Sequence, residues 1–306
     1  MDYLKIFVPA SVANVSCGFD SLGFAIDAIG DEMTFTKTIV KGVVITDISG
    51  ANLPYNVQEN VASVVVLKML NDTNADFGVA LTIHKGFSPG SGLGSSAASA
   101  AGAAFGANQL LGNIYSKLEL TLFAMFGEEV ACGAPIADNV AAAIYGGFIL
   151  VRSCKPLEII KLPVPSELRV VAIHPQIQVK TKDARDVLPK TIALKDAVTQ
   201  WANVGGLVSG LHTDNYDLIG HSLVDVIAEP ARKRLIPFFD DVKNSANKAG
   251  ALGAGISGSG PTIFALCKGD HIAEAVYSSI EEVYSKTGID FQMLISKVNP
   301  TGIRII

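Results

Sequence analysis

The sequence predicts an α+β fold in two domains, and three observations predict it. Alternating or β-branched apolar stretches occur in both halves, segments of helical periodicity accompany them, and a proline-rich segment lies between. In the first half the strand patterns fall at 3–9, 33–40, 43–48 and 79–85, and the helical patterns at 59–71, 95–111, 116–130 and 137–145. The second half opens with strands at 147–152, 168–174 and 176–181, followed by helices at 191–211, 215–222 and 237–249. Strands at 251–256 and 261–267, a helix at 270–286 and a strand at 290–297 close it. Between the halves, Lys155–Glu167 carries Pro156, Pro163 and Pro165, and closely repeated prolines are hard to fit inside an element. The predicted domains are therefore 1–160 and 161–306.

Composition narrows the function classes. With 49% hydrophobic and 17% charged residues, the 306-residue chain is too apolar for disorder and can bury a sizeable core. Its 24 Lys and Arg against 29 Asp and Glu give a net charge of −5, the wrong balance for a nucleic-acid binder. Cys17, Cys132, Cys154 and Cys267 are far apart and form no CxxC pair, so reduced thiols and a cytoplasmic location are expected. Pro9 and Asn14 interrupt the first apolar run before a signal peptide can form. The most apolar later stretch, 141–151, is far short of the ~20 residues of a membrane span. The five histidines show no metal-like spacing.

Three glycine-rich loops carry the chemistry. The most informative is Lys85-Gly-Phe-Ser-Pro-Gly-Ser-Gly-Leu-Gly-Ser-Ser-Ala-Ala98, which follows a strand and leads into a helix of small residues. Its Gly90, Gly92 and Gly94 let the backbone approach a ligand, Ser95 or Ser96 can cap the helix, and the free N–H groups of the first turn suit a phosphate. It lacks the lysine of a P-loop. Gly86-Phe-Ser88-Pro-Gly90 also spells the GxSxG elbow of serine hydrolases, but Pro89 stands where that elbow needs a backbone N–H. The third loop in chain order, Gly253-Ala-Gly-Ile-Ser-Gly258, satisfies the dinucleotide pattern GxGxxG, yet a β-like run at 262–266 follows it instead of a helix. The remaining loop, Pro9-Ala-Ser-Val-Ala-Asn14-Val-Ser-Cys-Gly18-Phe-Asp20, follows the first strand and sets Asn14 and Asp20 about a glycine turn.

Taken together, PASVANVSCGFD, GSGLGSSAA and GAGISGSGPTIFAL resemble the three ordered motifs of the GHMP small-molecule kinases, across nearly the whole chain. Within that family the first motif, and Ala137-Asp-Asn-Val-Ala141 followed by Gly146-Gly147, look like the homoserine kinase version. The resemblance implies an N-terminal domain like domain 2 of ribosomal protein S5 and a ferredoxin-like C-terminal domain. It also implies transfer of the ATP γ-phosphate to the side-chain hydroxyl of L-homoserine, on the threonine pathway, by a homodimer. Two positions depart from the pattern, Ser88 where a proline is usual and Ile136 where a histidine is frequent.

The resemblance also implies roles, residue by residue. Pro89, Gly90, Ser91, Gly92, Leu93, Gly94, Ser95 and Ser96 would hold ATP, and Ser96 with Glu128, preferred over Glu129, would hold Mg²⁺. Asp138 and Asn139 would meet the hydroxyl; Asn139 cannot take a proton, and whether Asp138 is a base or a helix cap stays open. Asn14 and Asp20 match the substrate's amino end, Arg185 and Arg232 its carboxylate end. Gly258 would bring the third loop over the site, its backbone N–H groups turned towards substrate or phosphate. A kinase for mevalonate or a sugar, an inactive nucleotide-binding regulator and a serine hydrolase are the rival readings.

Overall fold

A computed structural model describes residues 1–306, apart from the side chains at 131, 132 and 181. Cys132 therefore lies outside the described side chains; Cys17 and Cys267 are buried free thiols and Cys154 an exposed one. The chain forms strands β1 (Tyr3–Ala13), β2 (Leu22–Thr38) and β3 (Gly42–Ser49), helix α1 (Val61–Asp72) and strand β4 (Gly78–His84). Helices α2 (Ser95–Leu110), α3 (Lys117–Cys132) and α4 (Asp138–Tyr145) follow, then β5 (Phe148–Cys154), β6 (Leu157–Leu162) and β7 (Leu168–Pro175). Helices α5 (Thr181–Asp186), α6 (Leu194–His212), α7 (Tyr216–Ser222), α8 (Ala228–Arg232) and α9 (Phe239–Lys248) lead to β8 (Gly253–Ile256) and β9 (Ile263–Lys268). Helix α10 (Gly269–Ser285), β10 (Phe291–Lys297) and β11 (Arg304–Ile305) complete the chain.

The strands make two sheets. The first has the order β11-β1-β2-β4-β3, with β5 also paired to β2 and β6 to β5. Only β3 and β4 run parallel, joined through α1. The second sheet, β10-β7-β9-β8, is antiparallel throughout. Successive side chains of a strand point to opposite faces, and both faces of the second sheet are used. Leu168, Val170, Phe264 and Leu266 join the core of the first sheet, whereas Val171, Ile173, Ile263 and Ala265 join a separate core under α9 and α10. Phe24 of β2 and Phe264 of β9 meet edge-on at 6.1 Å across that seam.

Helix α2 is buried on nearly every side, which explains its alanine and glycine content. A β-carbon at Gly102 would lie 2.5 Å from the Met33 sulfur, and one at Gly106 2.3 Å from the Phe35 ring. Helices α1, α3 and α4 cover the remainder of α2. Asn60 caps α1 through Ala62 and Ser63, and Ser116 with Glu119 forms a capping box on α3.

Several expectations need correction. Strand β2 begins eleven residues before the predicted 33, since Gly23, Asp27 and Gly30 break its alternation. The first part of the proline-rich segment belongs to a hairpin, with Lys155 and Pro156 at its turn and β6 on the far side, and only 163–167, with Pro163 and Pro165, lies between elements. The strand expected at 176–181 is absent, and α5 begins at its end. Neither Ser95 nor Ser96 caps α2; its N-cap is Gly94 at φ +73°, with no side-chain hydrogen bond. Asp138 is the first residue of α4, not its cap.

Candidate functional site

The three glycine-rich loops converge on one cleft of about 750 Å³, mouth included. The second loop is clamped between the other two. Ser11 N donates to Leu93 O at 3.0 Å, Thr262 Oγ1 to Ser91 O at 2.6 Å, and Ser257 Oγ to Gly92 O at 2.7 Å. Ser91 and Leu93 thus turn inwards as structural members, while Pro89, Gly90, Gly92, Gly94, Ser95 and Ser96 line the cleft.

With its carbonyls held, the loop is free to present amides. Gly90, Gly92 and Gly94 all have positive φ, between 73° and 84°, and alternating left-handed residues make a concavity of N–H groups. The N–H groups of Gly92, Gly94, Ser95 and Ser96 have no acceptor among the described residues. They lie at the N-terminal end of the α2 dipole, an arrangement suited to phosphate oxygens.

The same cleft is lined by charged groups. Arg185 donates to both carboxylate oxygens of Asp20, each bond 3.1 Å, with both side chains partly open to the cleft. Arg232 is buried; its Nε donates to Ala184 O at 2.9 Å and a terminal nitrogen to Gly258 O at 3.0 Å, so it carries no carboxylate partner among the described residues. Its place at the end of α8 is set by Asp225, whose carboxylate accepts the N–H groups of Ile227, Ala228 and Glu229. Phe19 lies beneath both guanidiniums, at 4.9 Å from Arg232 and 5.9 Å from Arg185.

Asn14 ties the first loop to the third. Its Nδ2 donates to Gly258 O at 2.8 Å and its Oδ1 accepts Asp20 N at 3.0 Å. Asn14, Val15 and Ser16 all have positive φ, as does Asp20, and strain of this kind gathers at functional sites. The third loop differs from expectation. Gly258 N is spent on Ala13 O, Gly260 N on Ser257 O and Ser257 N on Thr262 O. Its Gly258 carbonyl, accepting from Asn14 and Arg232, is what locks the site together. Because β8 and β9 form a hairpin about this loop, the dinucleotide reading ends here.

Two acids also line the cleft. Glu128 of α3 is buried, which pushes its carboxyl up to about 7 even though Ser96 hydrogen-bonds to it. Asp138 is also buried and likewise pushed up to about 7, by burial first and by the Asp20 charge second; its Oδ1 accepts Asn139 N at 2.7 Å. Asn139 Oδ1 accepts Ser11 Oγ at 2.8 Å, which leaves the amide NH₂ as the group Asn139 can offer to the cleft.

One supporting device had no sequence signal. Lys85, at the start of the second loop, forms a buried ion pair with Asp31 and donates to Ser95 O at 2.8 Å and Ser99 Oγ at 3.1 Å, fixing the first turn of α2. Burial lowers the Lys85 ammonium and raises the Asp31 carboxyl, and their attraction opposes both shifts. Ser11 and Phe19 carry no sequence signal either, since a serine and a phenylalanine in a loop look like any others. Ser88, the serine of the hydrolase pattern, makes no contact with a histidine among the described residues; its carbonyl accepts Ser91 N at 3.3 Å.

A family model described as GHMP kinases N terminal domain matches residues 60–147, and one described as GHMP kinases C terminal matches 207–286, together more than half of the chain. The chain belongs to the GHMP kinase family. This GHMP kinase is 45% identical to the homoserine kinase of Chlorobium phaeovibrioides, with 100% of both chains covered. It is 41% identical to the homoserine kinase of Methanococcus vannielii, over 93% of this chain and 94% of that one. The crystal structure of homoserine kinase from Cytophaga hutchinsonii matches with a TM-score of 0.97 and 49% identity, covering 100% of this chain and 98% of that one. L. major mevalonate kinase has the same fold at a TM-score of 0.73 and 18% identity.

Proposed function

We propose that this GHMP kinase phosphorylates the side-chain hydroxyl of L-homoserine with ATP, giving O-phospho-L-homoserine for threonine biosynthesis. The observation that carries the reading is that one cleft is lined both by a cradle of free amides and by a carboxylate with two guanidiniums. A phosphate donor and a zwitterionic amino acid fit those two sets of groups. The full-length relatives named homoserine kinase favour the same substrate.

Residues 89–96 hold the phosphates, through amides at Gly92, Gly94, Ser95 and Ser96. A second hollow of about 380 Å³ beside Leu53, Pro54 and Val61 reaches the same loop and suits the adenine. Ser96 and Glu128 fit Mg²⁺, because one hydroxyl and one buried carboxyl offer hard oxygen donors to an ion that otherwise keeps waters and phosphate oxygens. The ion supplies neutralisation of charge on the transferred group. Asp20 and Asn14 take the ammonium end, and Arg185 and Arg232 the carboxylate, which leaves the hydroxyl between Asp138 and Asn139. Asn139 donates through its amide and orients the hydroxyl; Asp138, poised near neutral pH, is the group able to receive the proton.

We place the division between domains after β6, within 163–167, and not at the expected 160/161, which falls inside that strand, with the C-terminal tail crossing back to the first sheet. A cytoplasmic homodimer belongs to the same reading; among the described residues no helix is long and apolar enough to cross a membrane, and Leu194, Val198 and Trp201 leave an exposed apolar stripe on α6. Sedimentation as a monomer at every concentration would overturn the dimer. The function itself is tested by ADP release with ATP and Mg²⁺ in the presence of L-homoserine, mevalonate, galactose or no acceptor. Release that depends on homoserine is expected, and ATP binding with no acceptor-dependent release sinks the reading.

A further inference from the structure

Arg185 and Asp20 are more than two residues that face the same ligand. They face each other. Both carboxylate oxygens of Asp20 are taken by the Arg185 guanidinium, one bond to each terminal nitrogen at 3.1 Å. The pair joins the first loop to α5, elements 165 positions apart in sequence, across the mouth of the cleft. Both ends of it are held in place. Asp20 N is bonded to Asn14 Oδ1, and Ala184 O, next to Arg185, accepts from the buried Arg232. Phe19 supports the guanidinium from below.

We infer that this ion pair is a latch that selects zwitterions: a ligand displaces it at no loss of charge pairing only by bringing an ammonium for Asp20 and a carboxylate for Arg185 together. The inference rests on the proposed placing of the substrate's two charged ends. The pair is open to water in the free protein, with side-chain exposures of 36% and 41%, so the discrimination arises when a ligand closes over it: a carboxylate freed from its guanidinium and then cut off from water must find another cation or lose stability. A hydroxy acid without an amino group satisfies Arg185 and strands Asp20. An amino alcohol without a carboxylate satisfies Asp20 and strands Arg185. Only the amino acid exchanges one ion pair for two. Arg232 adds an anchor for the carboxylate that is not tied to any acid among the described residues, so the site attracts carboxylates generally and the latch supplies the discrimination. Selectivity of this kind comes from what a wrong ligand leaves unpaired more than from what the right one gains.

The test compares L-homoserine with 4-hydroxybutyrate, the same molecule without its amino group, by ligand-detected NMR titration of the wild type and Asp20→Asn. Asparagine is chosen because it tolerates the left-handed backbone at this position, φ +54°. The latch predicts opposite changes: homoserine binds about tenfold more weakly to Asp20→Asn, while 4-hydroxybutyrate binds about fivefold more tightly because Arg185 is released. Unchanged or weaker 4-hydroxybutyrate binding in the variant overturns the latch. A second measurement needs no variant: methylammonium should tighten 4-hydroxybutyrate binding to the wild type, since the two ions together supply both charges. Indifference of each to the other also overturns it. Failure of the wild type to phosphorylate homoserine is a separate outcome, which removes the proposed reaction and with it the assignment of the two ends.

Discussion

Glu128 shows how a single residue ties stability to loading. Its carboxyl titrates near 4.5 in an unfolded chain and at about 7 when buried beside Ser96. Below pH 4.5 it is protonated in both states and its contribution is at its most favourable. Between 4.5 and 7 the unfolded chain ionises first, so the folded protein without ligands loses about 1.4 kcal/mol of stability per pH unit from this group, levelling off above 7. Asp138, raised from 3.8 to about 7, acts in the same direction over 3.8–7. Glu128→Gln should therefore flatten the slope of unfolding free energy against pH in urea titrations, and should lower Mg²⁺-dependent turnover about a hundredfold. An unchanged slope would mean that Glu128 is already ionised at neutral pH. Residues of the loops were legible because glycine, acid and amide side chains clustered where strands end. Lys85 and Asp31 were not, since an ion pair formed across 54 positions leaves no periodicity or spacing behind.

At the scale of elements, the second loop derives its function from being unable to hold side chains. A β-carbon at Gly94 would lie 2.3 Å from Ser11 Oγ and 2.8 Å from Asn139 Oδ1, on a backbone at φ +73°. Gly133 has the same φ, yet among the described residues nothing lies within 4 Å of its β-carbon position. Gly94→Ala should thus cut kcat/KM about a hundredfold or more, whereas Gly133→Ala should cost only the left-handed backbone, about 1–2 kcal/mol in a thermal melt. Equal behaviour of the two would show that crowding at Gly94 is irrelevant. Gly258→Val is expected to lower turnover with the fold retained by circular dichroism; global unfolding would make that glycine chiefly structural. Helices of clear period were read from the sequence to within a few residues. The elements missed were those in which pattern and punctuation disagreed: β2 starting through glycines, β6 among prolines, and α5 and α8 too short for periodicity to register.

For the whole molecule, the mixed α+β pattern of both halves was legible in the strand and helix periodicities, but the path of the last residues was not. A strand of two residues has no detectable pattern, yet β11 extends β1, with Ile305 opposite Ile6, and Ile306 N donates to Lys5 O at 3.0 Å. Asn299 secures the return, its carbonyl accepting Gly147 N at 2.7 Å and its Nδ2 donating to Asp27 at 2.8 Å. Removal of residues 299–306 should lower the melting temperature by several degrees and weaken ATP binding along with it, because β1 leads directly into the first loop. A truncated chain with an unaltered melt would show that the return is ornamental. The same tail has a kinetic implication. Closure of the first sheet depends on a contact between segments roughly 300 positions apart, the kind of non-local pairing that slows folding. Until it forms, β1 keeps one bare edge, open to pairing with another unfinished chain. Refolding at high protein concentration is where this molecule is most exposed to aggregation.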